Sequence, residues 1–203
     1  MTETTETTEA TDHSVSASVE TKNARWGIIA IAVVAIVFVT ILALGMFNSR
    51  VDRPDDVAPD FEMKFFNGYE WQGMPVANLS DFQGRPVVLN FWASWCVECI
   101  REAKLLEDLW QEYSDQGVVF LGIAYIDVEK NSLAYLEEYG ISYPNAPDLR
   151  TVISSKYDIT GVPETFFIDK NGDVEYIHLS AVTEPMVRSL LDKMLAAEGP
   201  AVS

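Results

Sequence analysis

An apolar run, Pro86–Ala93, ends in Ser94-Trp95-Cys96-Val97-Glu98-Cys99, and a helix-patterned stretch begins at once. A continuous run rich in Val and aromatics reads as a central strand covered on both faces. Beyond it, Leu105, Leu106, Leu109, Trp110 and Tyr113 recur at helical spacing, the mark of an amphipathic helix. The chain must therefore pass from a buried strand almost directly into a helix, with two cysteines on the junction. Partial positive charge at a helix N-terminus favours a thiolate over a thiol, and the thiolate is the species that attacks a disulfide. A Cys-x-x-Cys in this place reads as a thiol–disulfide exchange site. Cys96 is expected at the exposed cap, attacking a partner disulfide, and Cys99 one turn in, resolving the mixed disulfide. Their spacing puts the sulfurs on neighbouring helical positions, within bonding reach.

These are the only cysteines among 203 residues, and hydrophobic residues make up 48% of the chain. A core of that size needs no disulfide staple, so the pair points to chemistry rather than scaffold. The net charge is −17, and from Phe61 onward 22 acidic residues face 10 basic ones. Such a surface repels phosphate backbones and excludes nucleic acid as a partner.

Residues 1–25 are Thr/Glu-rich with almost nothing to bury and read as a disordered cytoplasmic tail; His13 within it is incidental. Residues 26–47 contain no charged side chain. A helix of that length spans a hydrocarbon core of about 30 Å, so a membrane anchor is expected there. The competing reading is a signal cleaved near Leu44-Gly45-Met46, but the run exceeds the usual apolar core of about 7–15 residues. Lys22 and Arg25 on one side balance Arg50 and Arg53 on the other, so flanking charge sets no orientation. A tethered disulfide-exchange pair makes most sense where disulfides exist, which places the domain on the extracytoplasmic side of the cell membrane. Residues 48–57 form a Pro/Asp-rich linker, and 58–198 the domain.

Within the domain, Val118–Ile126 reads as a second central strand. Asn131–Tyr139 reads as a helix stopped at Gly140, and Val152–Tyr157 as a short one. Glu164–Asp169 and Val174–Leu179 are strand-like runs joined by Lys170-Asn171-Gly172, a hairpin signal. A last helix covers Glu184–Ala197. The order predicts an α/β sandwich with a mixed sheet.

Asn90-Phe91-Trp92-Ala93 followed by Trp95-Cys96-Val97-Glu98-Cys99 resembles the thioredoxin superfamily. More narrowly it resembles the membrane-anchored thiol:disulfide oxidoreductases of the ResA, TlpA and CcmG (DsbE) group. Ala58-Pro59-Asp60-Phe61, the stretch Leu79–Pro86 and Gly161-Val-Pro-Glu-Thr-Phe-Phe-Ile-Asp169 extend the likeness over about residues 56–197. The resemblance implies a thioredoxin-like sandwich, its central mixed β-sheet flanked by helices and preceded by one transmembrane helix. It implies a cis Val162–Pro163 bond facing the cysteine pair. It also implies a glutamate, here Glu102, that assists proton transfer. Trp95, Glu98, Val162, Pro163 and Asn90 shape the site. Asn90 stands where thioredoxins proper carry a buried acid, so a proton relay must lie elsewhere, or Asn90 is only structural. No cofactor is implied beyond a redox-active Cys96–Cys99 disulfide, and no metal. The implied client is apocytochrome c, whose oxidised haem-attachment motif is reduced in cytochrome c maturation. The implied electron source is a transmembrane thiol-electron carrier.

Two positions depart from the family pattern. Glu98 replaces the proline that usually precedes the second cysteine; a carboxylate there opposes ionisation of Cys96 and predicts a reductant rather than an oxidant. Lys104 replaces a helix-kinking proline and predicts a straighter helix. Four other readings compete. A general extracytoplasmic protein-disulfide reductase has the same residues and other clients. A peroxiredoxin fits poorly with two cysteines packed as Cys-x-x-Cys. Half of a zinc site lacks ligands, with only His178 and the distant His13 to add. A copper-binding chaperone on the same fold would use His178, which reads better as a structural residue in an apolar strand.

Overall fold

The computed structural model describes residues 57–197, together with helical backbone at Trp26, Ile31 and residues 33–35. The anchor expected over 26–47 and the tail before it lie almost wholly outside the described residues. Among the described residues no helix is long and apolar enough to cross a membrane.

Within residues 57–197, seven strands and three α-helices follow in chain order: β1 (Glu62–Lys64), β2 (Val76–Asn78), β3 (Val87–Trp92), α1 (Val97–Tyr113), β4 (Val119–Tyr125), α2 (Glu129–Glu138), β5 (Asn145–Asp148), β6 (Glu164–Ile168), β7 (Val174–His178) and α3 (Glu184–Ala196). The main sheet runs β5-β4-β3-β6-β7. β3, β4 and β5 are parallel, whereas β6 and β7 are antiparallel to their neighbours. This is the mixed sheet that the sequence predicts. The parallel order steps one way across the sheet, so right-handed crossovers put α1 and α2 on one face. There they share a core with α3, through Leu106, Leu109, Leu136, Val187 and Leu191. The other face is covered by the β1–β2 pair and the 3-10 turn Ser154–Tyr157, around Met63, Leu89, Phe91, Phe166 and Tyr157.

Strand periodicity decides what reaches the helical face. Val87, Leu89 and Phe91 of β3 pack in the second core and Val88 and Trp92 in the first, so alternation turns Asn90 toward α1. Its antiparallel partner on β6 is Thr165.

The expected helices and central strands stand within a residue or two of their predicted ends. Sequence patterning missed β1, β2 and β5. Each is three or four residues long, and β5 contains Pro147, which suits an edge strand. The short helix expected over Val152–Tyr157 is a single 3-10 turn, Ser154–Tyr157. It closes at Asp158 in the left-handed conformation.

Gly122 on β4 shows how tightly the core backs the site. A Cβ there would meet Asn145 Oδ1 at 1.8 Å and Trp92 Nε1 at 2.9 Å. Those two atoms are themselves joined by a 2.8 Å hydrogen bond. Gly122→Ala is expected to destabilise the domain by about 2–3 kcal/mol through overpacking and loss of that bond. Urea denaturation monitored by tryptophan emission checks it; a loss within error would show that Asn145 yields freely.

Candidate active site

Cys96 is the N-cap of α1, in extended backbone, and its sulfur accepts the Cys99 N–H at 3.1 Å. The Cys96 N–H in turn donates to the Ala93 carbonyl at 3.1 Å, making the tight exit from β3. A side-chain acceptor at the N-cap satisfies one of the orphan donors of the first turn. The same donor and the helix dipole stabilise negative charge on that sulfur when the pair is reduced. The two cysteines are joined as a disulfide with Cα atoms 5.3 Å apart.

The Val162–Pro163 bond is cis, and the Val162 carbonyl oxygen lies 3.4 Å from Cys96 Sγ. The loop and the sulfur therefore face one another as the resemblance implies. Expected exposure of Cys96 is not found: it is only 5% exposed, packed with Trp92 and Ala93. The loop at Val162 lies over the sulfur and leaves little of it open. Trp95 and Val97 are the large exposed apolar side chains of the motif, at 59% and 64%, and the Trp95 indole N–H donates to the Ile126 carbonyl at 3.3 Å. Cys99 is buried outright, and its carbonyl accepts the Tyr135 hydroxyl at 2.9 Å.

Glu102, one helical turn after Cys99, is 1% exposed. Its carboxylate accepts the Asn90 side-chain amide at 2.9 Å and the Val182 N–H at 2.7 Å. Asn90 also donates to Thr165 Oγ1 at 2.9 Å. Asn90 is thus neither a bystander nor an acid; it holds the acid that α1 supplies. Burial pushes the Glu102 carboxyl up to about 7, against the opposing pull of the Val182 N–H and the Asn90 amide. Burial likewise holds the Tyr135 phenol above its ordinary range, with the Glu102 charge adding to the effect.

Glu98 points outward and meets the Arg101 guanidinium at 2.6 and 2.8 Å. The effect expected of Glu98 on Cys96 is consequently that of an exposed ion pair, weaker than that of a bare carboxylate. Lys104 pairs with Asp108 on the solvent side of an unbroken α1. His178 is half-buried, stacked on Tyr176, with Nε2 at 3.0 Å from Ser180 Oγ and 3.3 Å from the Ala181 carbonyl. No cluster of metal-ligating side chains occurs among the described residues.

Sequence reasoning missed four side chains around the pair: Tyr135, Thr165, Ser94 and Asp127. Thr165 lies inside the Gly161–Asp169 motif, but only the pairing of β3 with β6 sets it opposite Asn90. Nothing local marks Tyr135 or Asp127, which reach the site from α2 and from the turn between β4 and α2.

Residues 54–177 match the AhpC/TSA family model. The chain belongs to the AhpC/TSA family, within its ResA-like thiol-disulfide oxidoreductases. It is 33% identical over 159 residues to the thiol-disulfide oxidoreductase ResA of Oceanobacillus iheyensis, covering 78% of this chain and 81% of that protein. It is 26% identical over 177 residues to ResA of Bacillus subtilis, covering 86% and 93%. Among solved structures, a putative thiol:disulfide interchange protein DsbE from Chlorobium tepidum superposes with a TM-score of 0.61 at 24% identity, over 71% of this chain and 99% of that one. That likeness establishes the thioredoxin-like fold. With these relatives, the Cys96–Cys99 pair makes the protein a thiol-disulfide oxidoreductase.

The raised Glu102 carboxyl has a stability signature. Its folded value, about 7, lies above the ordinary 4.5, so between those values the folded state keeps a proton that the unfolded chain has released. Stability therefore falls as pH rises through this window, by up to about 3 kcal/mol. Glu102→Gln is expected to flatten that slope in the oxidised protein. Denaturation midpoints measured from pH 4 to 8 check it, and an unchanged slope in the variant would remove Glu102 as its source.

Proposed function

We propose that the protein is a membrane-anchored, extracytoplasmic reductant of client disulfides, serving the haem-attachment motif of apocytochrome c. The observation that carries the reading is the asymmetry of the pair. Cys96 caps the helix under the Val162 carbonyl, while Cys99 is enclosed beside a buried carboxylate with a raised pKa.

The cycle follows from that asymmetry. The Cys96 thiolate attacks one client sulfur, forming a mixed disulfide and releasing the other client sulfur as a thiolate. Glu102, one turn further along α1, takes the Cys99 proton. The Cys99 thiolate then attacks Cys96 Sγ, closing the intramolecular disulfide and releasing the second client thiolate. Two electrons pass to the client, and both of its sulfurs leave as thiols once protonated. A transmembrane thiol-electron carrier reverses the exchange and restores the dithiol.

Three features support the finer parts of the reading. The charge-free stretch over residues 26–47 supports an anchor. A dedicated exchange pair supports the oxidising side of the membrane, where client disulfides form. The acidic domain surface suits basic client segments.

Cys99→Ser is expected to freeze mixed disulfides through Cys96 in intact cells, and these run as adducts on non-reducing gels. Recovery of apocytochromes among them supports the client assignment, while a set of unrelated secreted proteins would mark a general reductase. Normal haem-attached cytochrome levels without the protein would end the maturation role. For the direction of electron flow, equilibration with glutathione is expected to give a reducing couple. A potential near about −120 mV, the value of a strong oxidant, would reverse the assignment.

A further inference from the structure

Asp127 closes the turn between β4 and α2, is 3% exposed, and has no part in the exchange cycle above. Its two carboxylate oxygens accept four hydrogen bonds. Oδ2 accepts the Ser94 N–H at 2.8 Å and the Ser132 hydroxyl at 3.0 Å. Oδ1 accepts the Ser94 hydroxyl at 3.0 Å and the Val128 N–H at 2.9 Å. Val128 is the N-cap of α2 and Ser132 its fourth residue, so these two bonds tie the carboxylate to the start of that helix. The two bonds to Ser94 reach across to the strand β3 exit, two residues before the attacking sulfur.

The intervening residue is tied to the same turn. Trp95 donates its indole N–H to the Ile126 carbonyl, so Ser94 and Trp95 meet Ile126 and Asp127 through three hydrogen bonds. Ile126 is held at φ 45°, a left-handed conformation that β-branched residues avoid. Such backbone persists only where its surroundings over-determine it, and here they include the Trp95 indole N–H on the Ile126 carbonyl and the Ile126 N–H to the Asp148 carbonyl at 3.4 Å. We infer that Asp127 is a positioning residue for Cys96. Through Ser94 it fixes the short segment that aims the sulfur at the Val162 carbonyl and at an incoming disulfide.

The reason for such a tether is chemical. In-line attack on a disulfide tolerates little misplacement of the nucleophile, and an error on the order of 1 Å is enough to slow a positioned reaction by about a hundredfold. The N-cap bond from Cys99 fixes the sulfur relative to α1 alone. Asp127 fixes the chain on the other side of the sulfur, relative to β4 and α2.

This inference rests on disulfide exchange at Cys96 and not on the identity of the client. The test uses the full chain with Cys99→Ser, so that only Cys96 reacts, and dithiobis(nitrobenzoate) as the disulfide probe. Asp127→Asn is expected to lower the second-order rate by about tenfold or more and to shift Trp95 emission. Ser94→Ala, which keeps the Ser94 N–H bond, is expected to give a smaller loss, and Ser94→Thr, which keeps the hydroxyl, to restore the parent rate. Leu133→Ala, on α2 and packed on the core but outside the Asp127 bonds, reports the cost of loosening α2 alone and is expected to lower the melting midpoint without changing the rate. Parent rates in Asp127→Asn and Ser94→Ala, with lowered midpoints only, would overturn the positioning role. Should Asp127→Asn not fold, the Ser94→Ala and Ser94→Thr pair decides: equal rates in the two reject the inference, and loss with rescue upholds it.

Discussion

The buried carboxylate of Glu102 ties the active-site helix to two other parts of the domain at once. It takes one hydrogen bond from the strand that delivers the cysteines, through Asn90, and one from the backbone of Val182, just before α3 begins. Removing either donor would leave part of a buried acid without a partner, which costs more than an ordinary hydrogen bond contributes. Asn90 is itself answered by Thr165 on β6, the strand that follows the cis Pro163. The chain of contacts therefore runs from the helix behind Cys99, across β3, to the loop that faces Cys96. The two sulfurs sit inside this circuit, and their relative placement is inherited from it.

That circuit also explains why an asparagine stands on β3. An acid at position 90 beside Glu102 would place two carboxylates in one buried site, where like charges oppose each other's ionisation. An amide instead donates to the carboxylate and leaves a single titrating group. The acid stands on the helix, one turn from Cys99, and burial holds its proton until near neutral pH. A group that titrates there can accept a proton and return it without a large energetic cost in either direction.

Much of this was legible in the sequence because it depends on short-range pattern. Strand-to-helix passage at Cys96, the amphipathic spacing of α1 and the Lys170-Asn171-Gly172 turn are local signals. The Gly161–Asp169 motif identified the loop opposite the sulfurs by resemblance. What stayed hidden is long-range or depends on side-chain direction. Strands of three or four residues such as β1 and β2 carry too few positions to show alternation, and Pro147 speaks against the strand that contains it. Glu98 read as a charge beside Cys96, but only the structure shows its guanidinium partner. Cys96 read as exposed because a helix cap usually is, whereas the loop that covers it comes from more than sixty residues away in the chain.

In the roles proposed for them, the two buried acids around the pair divide the demands of disulfide exchange between them. Glu102 lies behind the resolving sulfur, where donors are few and burial raises its affinity for a proton. Asp127 lies on the approach to the attacking sulfur and meets four donors at its two oxygens. A carboxylate with so many donors is suited to hold geometry, and a deeply buried one with only two donors is suited to hold a proton. Exchange needs both, and needs them apart: a proton acceptor beside Cys96 would add negative charge where the thiolate must form, and a rigid clamp at Cys99 would resist the movement that closes the intramolecular bond. Placing the proton site on the inner sulfur's helix and the clamp on the outer sulfur's approach lets the same pair open and close repeatedly without either carboxylate obstructing the other.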